Sequence, residues 1–120
     1  MDRQPAATVF VEARDWRLET AVARTLSRAL GATADVLIGR PEDGERDAVV
    51  VATDNVLTPN DVATLASHGT PVVLLAALPN DLAETRYRRA GVRHYLPMAA
   101  TGLPLVSAVT SVLAMLEAVS

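Results

Sequence analysis

The feature that most constrains this chain is a set of short apolar runs that do not alternate. Ala48-Val49-Val50-Val51-Ala52 and Val72-Val73-Leu74-Leu75-Ala76-Ala77 are apolar at every position. A strand with one wet face alternates apolar and polar residues. Continuous runs need cover on both faces, the environment of a parallel sheet between two layers of helices. Thr8-Val9-Phe10-Val11, Val36-Leu37-Ile38 and the segment from Arg93 to Leu96, which Pro97 is expected to stop, read as three further strands.

The intervening segments carry helical periodicity. After Arg14-Asp15-Trp16-Arg17, residues Leu18, Val22, Leu26 and Leu30 recur at spacing four, with Ala21, Thr25 and Ala29 broadening the stripe. That spacing predicts an amphipathic helix with Asp15 as N-cap and Gly31 at its end. Val62, Leu65 and Ala66 predict a second helix from Pro59 to His68. A third starts at Pro79-Asn80-Asp81 and runs through Leu82, Arg86 and Tyr87 to Gly91. A last one spans about Leu103 to Val119, with Pro104 in its first turn. Residues 39–47 instead hold two glycines and a proline among polar residues, and predict a loop with at most one helical turn.

The element order is therefore β-α-β-(loop)-β-α-β-α-β-α. Right-handed crossovers then predict an α/β fold: one doubly wound, five-stranded parallel sheet of order 2-1-3-4-5, its second helix shortened or missing. Nine residues make a short parallel crossover, yet fully extended they reach about 30 Å. Behind a short polar leader, Met1 to Ala7, no repeat or low-complexity tract divides the chain, so residues 1–120 read as one domain. At this length roughly two-thirds of the unfolded surface can be buried.

Composition closes off many functions. There is no cysteine, which excludes disulfides, thiolate metal sites and cysteine nucleophiles. All eleven basic residues are arginine, so chemistry that needs a lysine ammonium is excluded, the GxxxxGK[ST] phosphate loop included. A net charge of −3 gives no global attraction to nucleic acid or anionic membrane. No apolar run approaches a membrane span and no signal peptide is present, so a cytoplasmic location is expected. In open α/β sheets ligands bind beyond the carboxyl ends of the strands. There the first turn, Glu12-Ala13-Arg14-Asp15-Trp16, lacks the glycines of a dinucleotide site, and GxSxG is absent. His68 and His94 fall at the amino ends of strands four and five, away from that crevice. No cofactor or metal is expected.

One family accounts for the whole order. Pro71-Val72-Val73-Leu74-Leu75-Ala76-Ala77, then Arg88-Arg89-Ala90-Gly91-Val92-Arg93-His94-Tyr95-Leu96-Pro97, with Asp47 to Ala52 before them, resemble the fourth, fifth and third strands of bacterial response-regulator receiver domains. The likeness runs through about 110 residues. Its catalytic positions, carried across, are degenerate. The acidic pair falls on Glu12 and Ala13, the phosphoaccepting aspartate on Ala52, the switch Ser/Thr on Ala76, the lysine on Met98 and the proline after it on Ala99. The resemblance thus implies an atypical, non-enzymatic, phosphorylation-independent receiver. Asp54, two residues beyond Ala52, would stand about 6.6 Å past the acceptor level and reads as a turn residue. Arg93, at the start of strand five, lies at the wrong end of the sheet to replace the lysine.

Glu12, Trp16, Ala52, Asp54, Ala76, Ala77 and Met98 then bound a vestigial crevice, which either admits a small-molecule ligand or is filled by Met98 and Trp16. On the last helix, Leu105, Ala108, Val109, Val112, Leu113 and Leu116 form a packing stripe. Ser107, Thr110, Ser111, Ala114 and Ala118 form a second face with Glu117 as the helix's one charge. Small uncharged residues allow close approach, and this face is expected to form a homodimer. The resemblance further implies DNA contact only through a C-terminal helix-turn-helix module beyond Ser120. Arg86, Arg88, Arg89 and Arg93 are too local for nucleic-acid binding within these residues. The alternatives are a standalone protein-interaction adaptor, or a small α/β enzyme using Glu12 with Asp15 or Asp54.

Overall fold

A computed structural model describes residues 7–42 and 45–119. Met1 to Ala6, Asp43, Gly44 and Ser120 lie outside the described residues, and with them most of the polar leader. The elements are β1 (Ala7–Glu12), α1 (Trp16–Leu30), a short 3-10 turn (Gly31–Thr33), β2 (Ala34–Ile38), β3 (Ala48–Thr53), α2 (Pro59–Ser67), β4 (Val72–Ala76), α3 (Asp81–Ala90), β5 (His94–Pro97) and α4 (Leu103–Val119). The sheet is parallel throughout and ordered β2-β1-β3-β4-β5, the doubly wound fold expected from the apolar runs. No helix occurs between β2 and β3 among the described residues.

Alternation along the strands feeds two cores. Val9, Val11, Val49, Val51, Val73 and Leu75 face α1 and α4, where they meet Val22, Leu26, Leu105, Val109 and Val112. Phe10, Val50, Ala52, Val72, Leu74 and Ala76 face α2 and α3, with Val62, Leu65 and Tyr87. Burying a Val or Leu side chain is worth about 1.5–3 kcal/mol, so covering both faces of β3 and β4 is what selects a three-layer arrangement.

Local signals set the helix ends. The Asp15 carboxylate accepts the Arg17 N–H at 2.9 Å, and Asn80 accepts the Ala83 N–H at 2.8 Å. Thr58 and Asp61 form a reciprocal capping box at α2. Gly91 ends α3 at φ +117°, and a Cβ there would stand 2.9 Å from the Cβ of Ala66. Both the backbone angle and the close packing of α3 on α2 therefore require glycine.

Three expectations are corrected. Ala21 and Ala29 are exposed, and the apolar face of α1 is widened instead by half-buried Ala23 on the β2 side. Each helical residue turns about 100°, which puts Ala23 and Ala21 on opposite flanks of Val22. Pro97 belongs to β5 rather than stopping it; on an edge strand its missing N–H leaves no ladder bond unmade. The fourth strand ends at Ala76, and Ala77 is exposed.

Candidate functional site

Register brings the expected crevice residues to one end of the sheet. Glu12 lies beside Ala52, Ala52 beside Leu74, and Ala76 beside Pro97. The Met98 N–H donates to the Ala76 carbonyl at 2.8 Å, which seats Met98 half-buried at the head of β5. Ala52 is 1% exposed and Ala76 0%. Ala13 is half-buried, its N–H held by the Glu19 carboxylate at 3.1 Å. Beside Glu12 the neighbouring strands thus end in alanine, at Ala52 and Ala76, with Met98 at the far edge strand.

A residue that the sequence reading passed over dominates the electrostatics. Arg40, in the loop after β2, places Nε 2.8 Å from Glu12 Oε1 and a terminal nitrogen 3.2 Å from Oε2. The same guanidinium donates to the Val56 carbonyl at 3.3 Å. Arg40 therefore joins β1, the β2–β3 loop and the β3–α2 loop, and pairs with the Glu12 carboxylate. Its pKa is raised, chiefly by the hydrogen bond to Glu12. The available signal was positional: in a parallel sheet, a cation just after β2 stands at the same end as a carboxylate closing β1.

The remaining polar groups at this end hold loops in place. Asp54 Oδ1 accepts from the Ala77 N–H at 3.4 Å, and Asp54 stands two residues past the level of Glu12, as its spacing predicts. Asp15 is taken up as the α1 N-cap. The buried Tyr87 hydroxyl donates to the Leu57 carbonyl at 2.7 Å and lies 3.4 Å from the Asp54 carbonyl. Burial first, then the charge of Asp54, raises the Tyr87 pKa. Asp15 and Asp54 are thus each engaged with backbone N–H groups, and neither forms a hydrogen-bonded pair with Glu12.

Trp16 does not fill the crevice. It is 67% exposed, with the Arg17 guanidinium carbon 5.6 Å from its ring centroid. As the first residue of α1 it projects outward where no element covers it, and the cation over its face offsets part of the exposure. The expected filling by Met98 and Trp16 is therefore not made by Trp16, while Met98 is half-buried. On α4, Leu105, Ala108, Val109, Val112 and Leu113 are buried and Leu116 half-buried, while Ser107, Thr110, Ser111, Ala114 and Ala118 are all exposed. His68 caps the end of α2 and His94 opens β5, both at the opposite end of the sheet. Arg86, Arg88, Arg89 and Arg93 are exposed on α3 and the loop after it, and Arg88 pairs with Glu84 at 2.8 Å.

No protein-family model matches the chain, and no curated protein sequence does. Solved structures do match. A response regulator receiver protein from Pseudoalteromonas atlantica aligns with TM-score 0.73 over 88% of this chain and 96% of its own, at 13% identity. A response regulator from Thermotoga maritima aligns with TM-score 0.72 over 93% and 99%, at 16% identity. The chain has the receiver-domain fold. A pilus assembly-related protein from Burkholderia pseudomallei aligns with TM-score 0.70 over 95% and 94%, at 20% identity.

Within a receiver fold the acidic corner would be the place for a divalent cation, and here the residues do not fit one. Magnesium sites use carboxylates together with phosphate oxygens and water. This corner offers Glu12 alone, and Arg40 is hydrogen-bonded to both of its oxygens. Among the described residues no three His, Asp or Glu side chains gather elsewhere either. No described helix is long and apolar enough to cross a membrane.

Proposed function

We propose that this receiver-fold domain is a signalling module that works without phosphorylation, through association of its α4 face. The observation that carries the reading is the Arg40–Glu12 pair above a floor of Ala52 and Ala76. Phosphoryl transfer needs a nucleophile and cations that meet developing charge. Alanine supplies no nucleophile, and Arg40 is already matched to a carboxylate. The domain is then no enzyme, and Glu12, Ala13, Ala52, Ala76 and Met98 are relics of a phosphorylation site. Control of a DNA-binding module that follows α4, in the manner of a response regulator, is the output this reading assigns. The pilus assembly-related neighbour favours a second reading, an adaptor in a protein assembly, which uses the same face.

The direct test is incubation with acetyl phosphate and Mg²⁺ followed by intact mass. The expected result is no added phosphoryl group. A stoichiometric gain that Asp54→Ala abolishes would overturn the proposal. Association is tested by sedimentation. Two-fold packing through Ser107, Thr110, Ser111, Ala114 and Ala118 requires roughly 1,200–2,000 Å² in total for a specific dimer. Ala114→Glu places a desolvated charge in that contact and is expected to give a monomer. A wild-type monomer at high micromolar concentration refutes the dimer. Thermal unfolding reports on the crevice: a metabolite pool that leaves the melting temperature unchanged refutes the small-molecule form of control.

A further inference from the structure

The sheet has two edges, and they are protected differently. β5 is four residues long and ends in Pro97, both features that discourage strand addition. β2 is five residues long with no proline, and its outer side pairs with nothing among the described residues. Its one charge is Asp35. Leu37 and Ile38 are 51% and 54% exposed. They point to opposite faces, Ile38 with Val36 toward α1 and Leu37 toward the face where the described residues form no crossover helix. The same short β2–β3 loop that brings Arg40 to Glu12 thus leaves this edge bare.

Beside the edge runs a shallow groove of about 520 Å³. Val36, Leu37 and Ile38 form one wall, and Ala23, Arg24 and Arg28 of α1 line the other. Arg24 and Arg28 are exposed and form no ion pair with the described residues. Being four apart on a helix, they are separated by roughly 6 Å of rise. Side chains at alternate positions of an extended strand repeat at about 6.6 Å. A strand laid along β2 therefore matches both guanidinium groups with two acidic residues two positions apart, on its α1 side. Its intervening residues then face the Leu37 side, where apolar groups have a surface to pack on.

We propose that the β2 edge is a strand-addition site for an extended partner peptide in which acidic and apolar residues alternate. Main-chain hydrogen bonds to the free edge supply register, and Arg24 and Arg28 supply selectivity. The charges also decide against a second copy of this chain. Edge-to-edge pairing about a two-fold axis puts both α1 helices on one face of a continuous sheet and brings four guanidinium groups together, which like-charge repulsion disfavours.

The test titrates isotope-labelled protein with a fluorescent peptide of alternating Val and Glu. Three comparisons accompany it: the Val–Lys counterpart, a Val–Glu peptide N-methylated at alternate residues, and the Arg24→Glu/Arg28→Glu protein. Both substituted positions are exposed, and circular dichroism verifies the fold. The expected result is amide shifts confined to residues 20–28 and 34–38, with affinity falling as salt rises. At least tenfold weaker binding is expected in each comparison. Three results overturn the proposal: no binding at millimolar peptide, equal binding of the N-methylated peptide, or shifts centred on α4. A concentration-dependent dimer that protects the β2 amides, and that the peptide does not dissolve, overturns it in favour of self-pairing.

Discussion

Removing one hydroxyl, Tyr87→Phe, tests how the wall of the crevice is held. Tyr87 is on α3, yet its hydroxyl donates at 2.7 Å to the carbonyl of Leu57, in the β3–α2 loop, and Leu57 is fully buried. That loop also carries Asp54 and the Val56 carbonyl that receives Arg40. Phenylalanine keeps the ring and its packing at 6.1 Å from the Tyr95 ring, so no large cavity opens. The loss is one buried hydrogen bond plus a carbonyl left without a donor, together about 1–3 kcal/mol. For a domain of this size that lowers Tm by about 4–12 °C. The raised pKa gives a second signature. Tyr87 stays protonated in the folded state at a pH where the unfolded tyrosine, near 10.0, ionises. Its contribution is therefore complete below about pH 10 and fades as pH rises beyond it. Urea unfolding of both proteins at pH 7 and pH 10.5 measures the difference. The gap should narrow at the higher pH with unchanged m-values. A gap under about 0.5 kcal/mol at pH 7, or one that widens with alkali, refutes the assignment of this hydroxyl as a clamp.

Four other outcomes follow from single contacts. Arg40→Gln should speed amide hydrogen exchange in residues 39–42 and 56–57 while costing about 1 kcal/mol or less of global stability, as exposed ion pairs do; unchanged exchange would show that the pair holds nothing. Thr58→Ala should cost about 0.5–2 kcal/mol by removing the α2 cap. The Asp61 pKa is lowered, first by its bond to the Thr58 backbone N–H, so its contribution is present above about pH 3.8 and lost on acidification below it, measurable as a wild-type stability loss that Asp61→Asn lacks. Gly91→Ala should lower stability by more than 1 kcal/mol, since it adds both a strained positive φ and a Cβ at 2.9 Å from Ala66; a neutral result in thermal unfolding would mean that α3 shifts freely on α2.

What could be read from the linear chain was whatever depends on near neighbours. Runs such as residues 48–52 and 72–76 announce two-sided burial wherever they sit. Asp15, Asn80 and the Thr58–Asp61 pair mark helix starts through contacts within three residues. The packing stripe and the exposed face of α4 follow from a fixed rotation of 100° per residue. The residue types at positions 12, 13, 52 and 98 were equally legible, because a residue type is present or absent before the chain folds. Even the lack of a helix among the described residues between β2 and β3 was visible in two glycines and a proline within nine residues.

The bond between Arg40 and Glu12 was not, since 28 residues separate them and only the path of the β2–β3 loop sets where that guanidinium arrives. Nor was the direction of Trp16, whose ring turns outward over Arg17 instead of into the crevice. The bare edge of β2 belongs to the same class: Val36-Leu37-Ile38 reads as an ordinary strand until the sheet order makes it the outermost one. Residue identity settles that no lysine ammonium and no thiol is at hand, because a residue type the chain lacks cannot be supplied by folding. Which charge meets which, and which apolar residues stay wet, is decided by tertiary structure alone, because Coulomb contacts and burial depend on distance in space and not on distance along the chain.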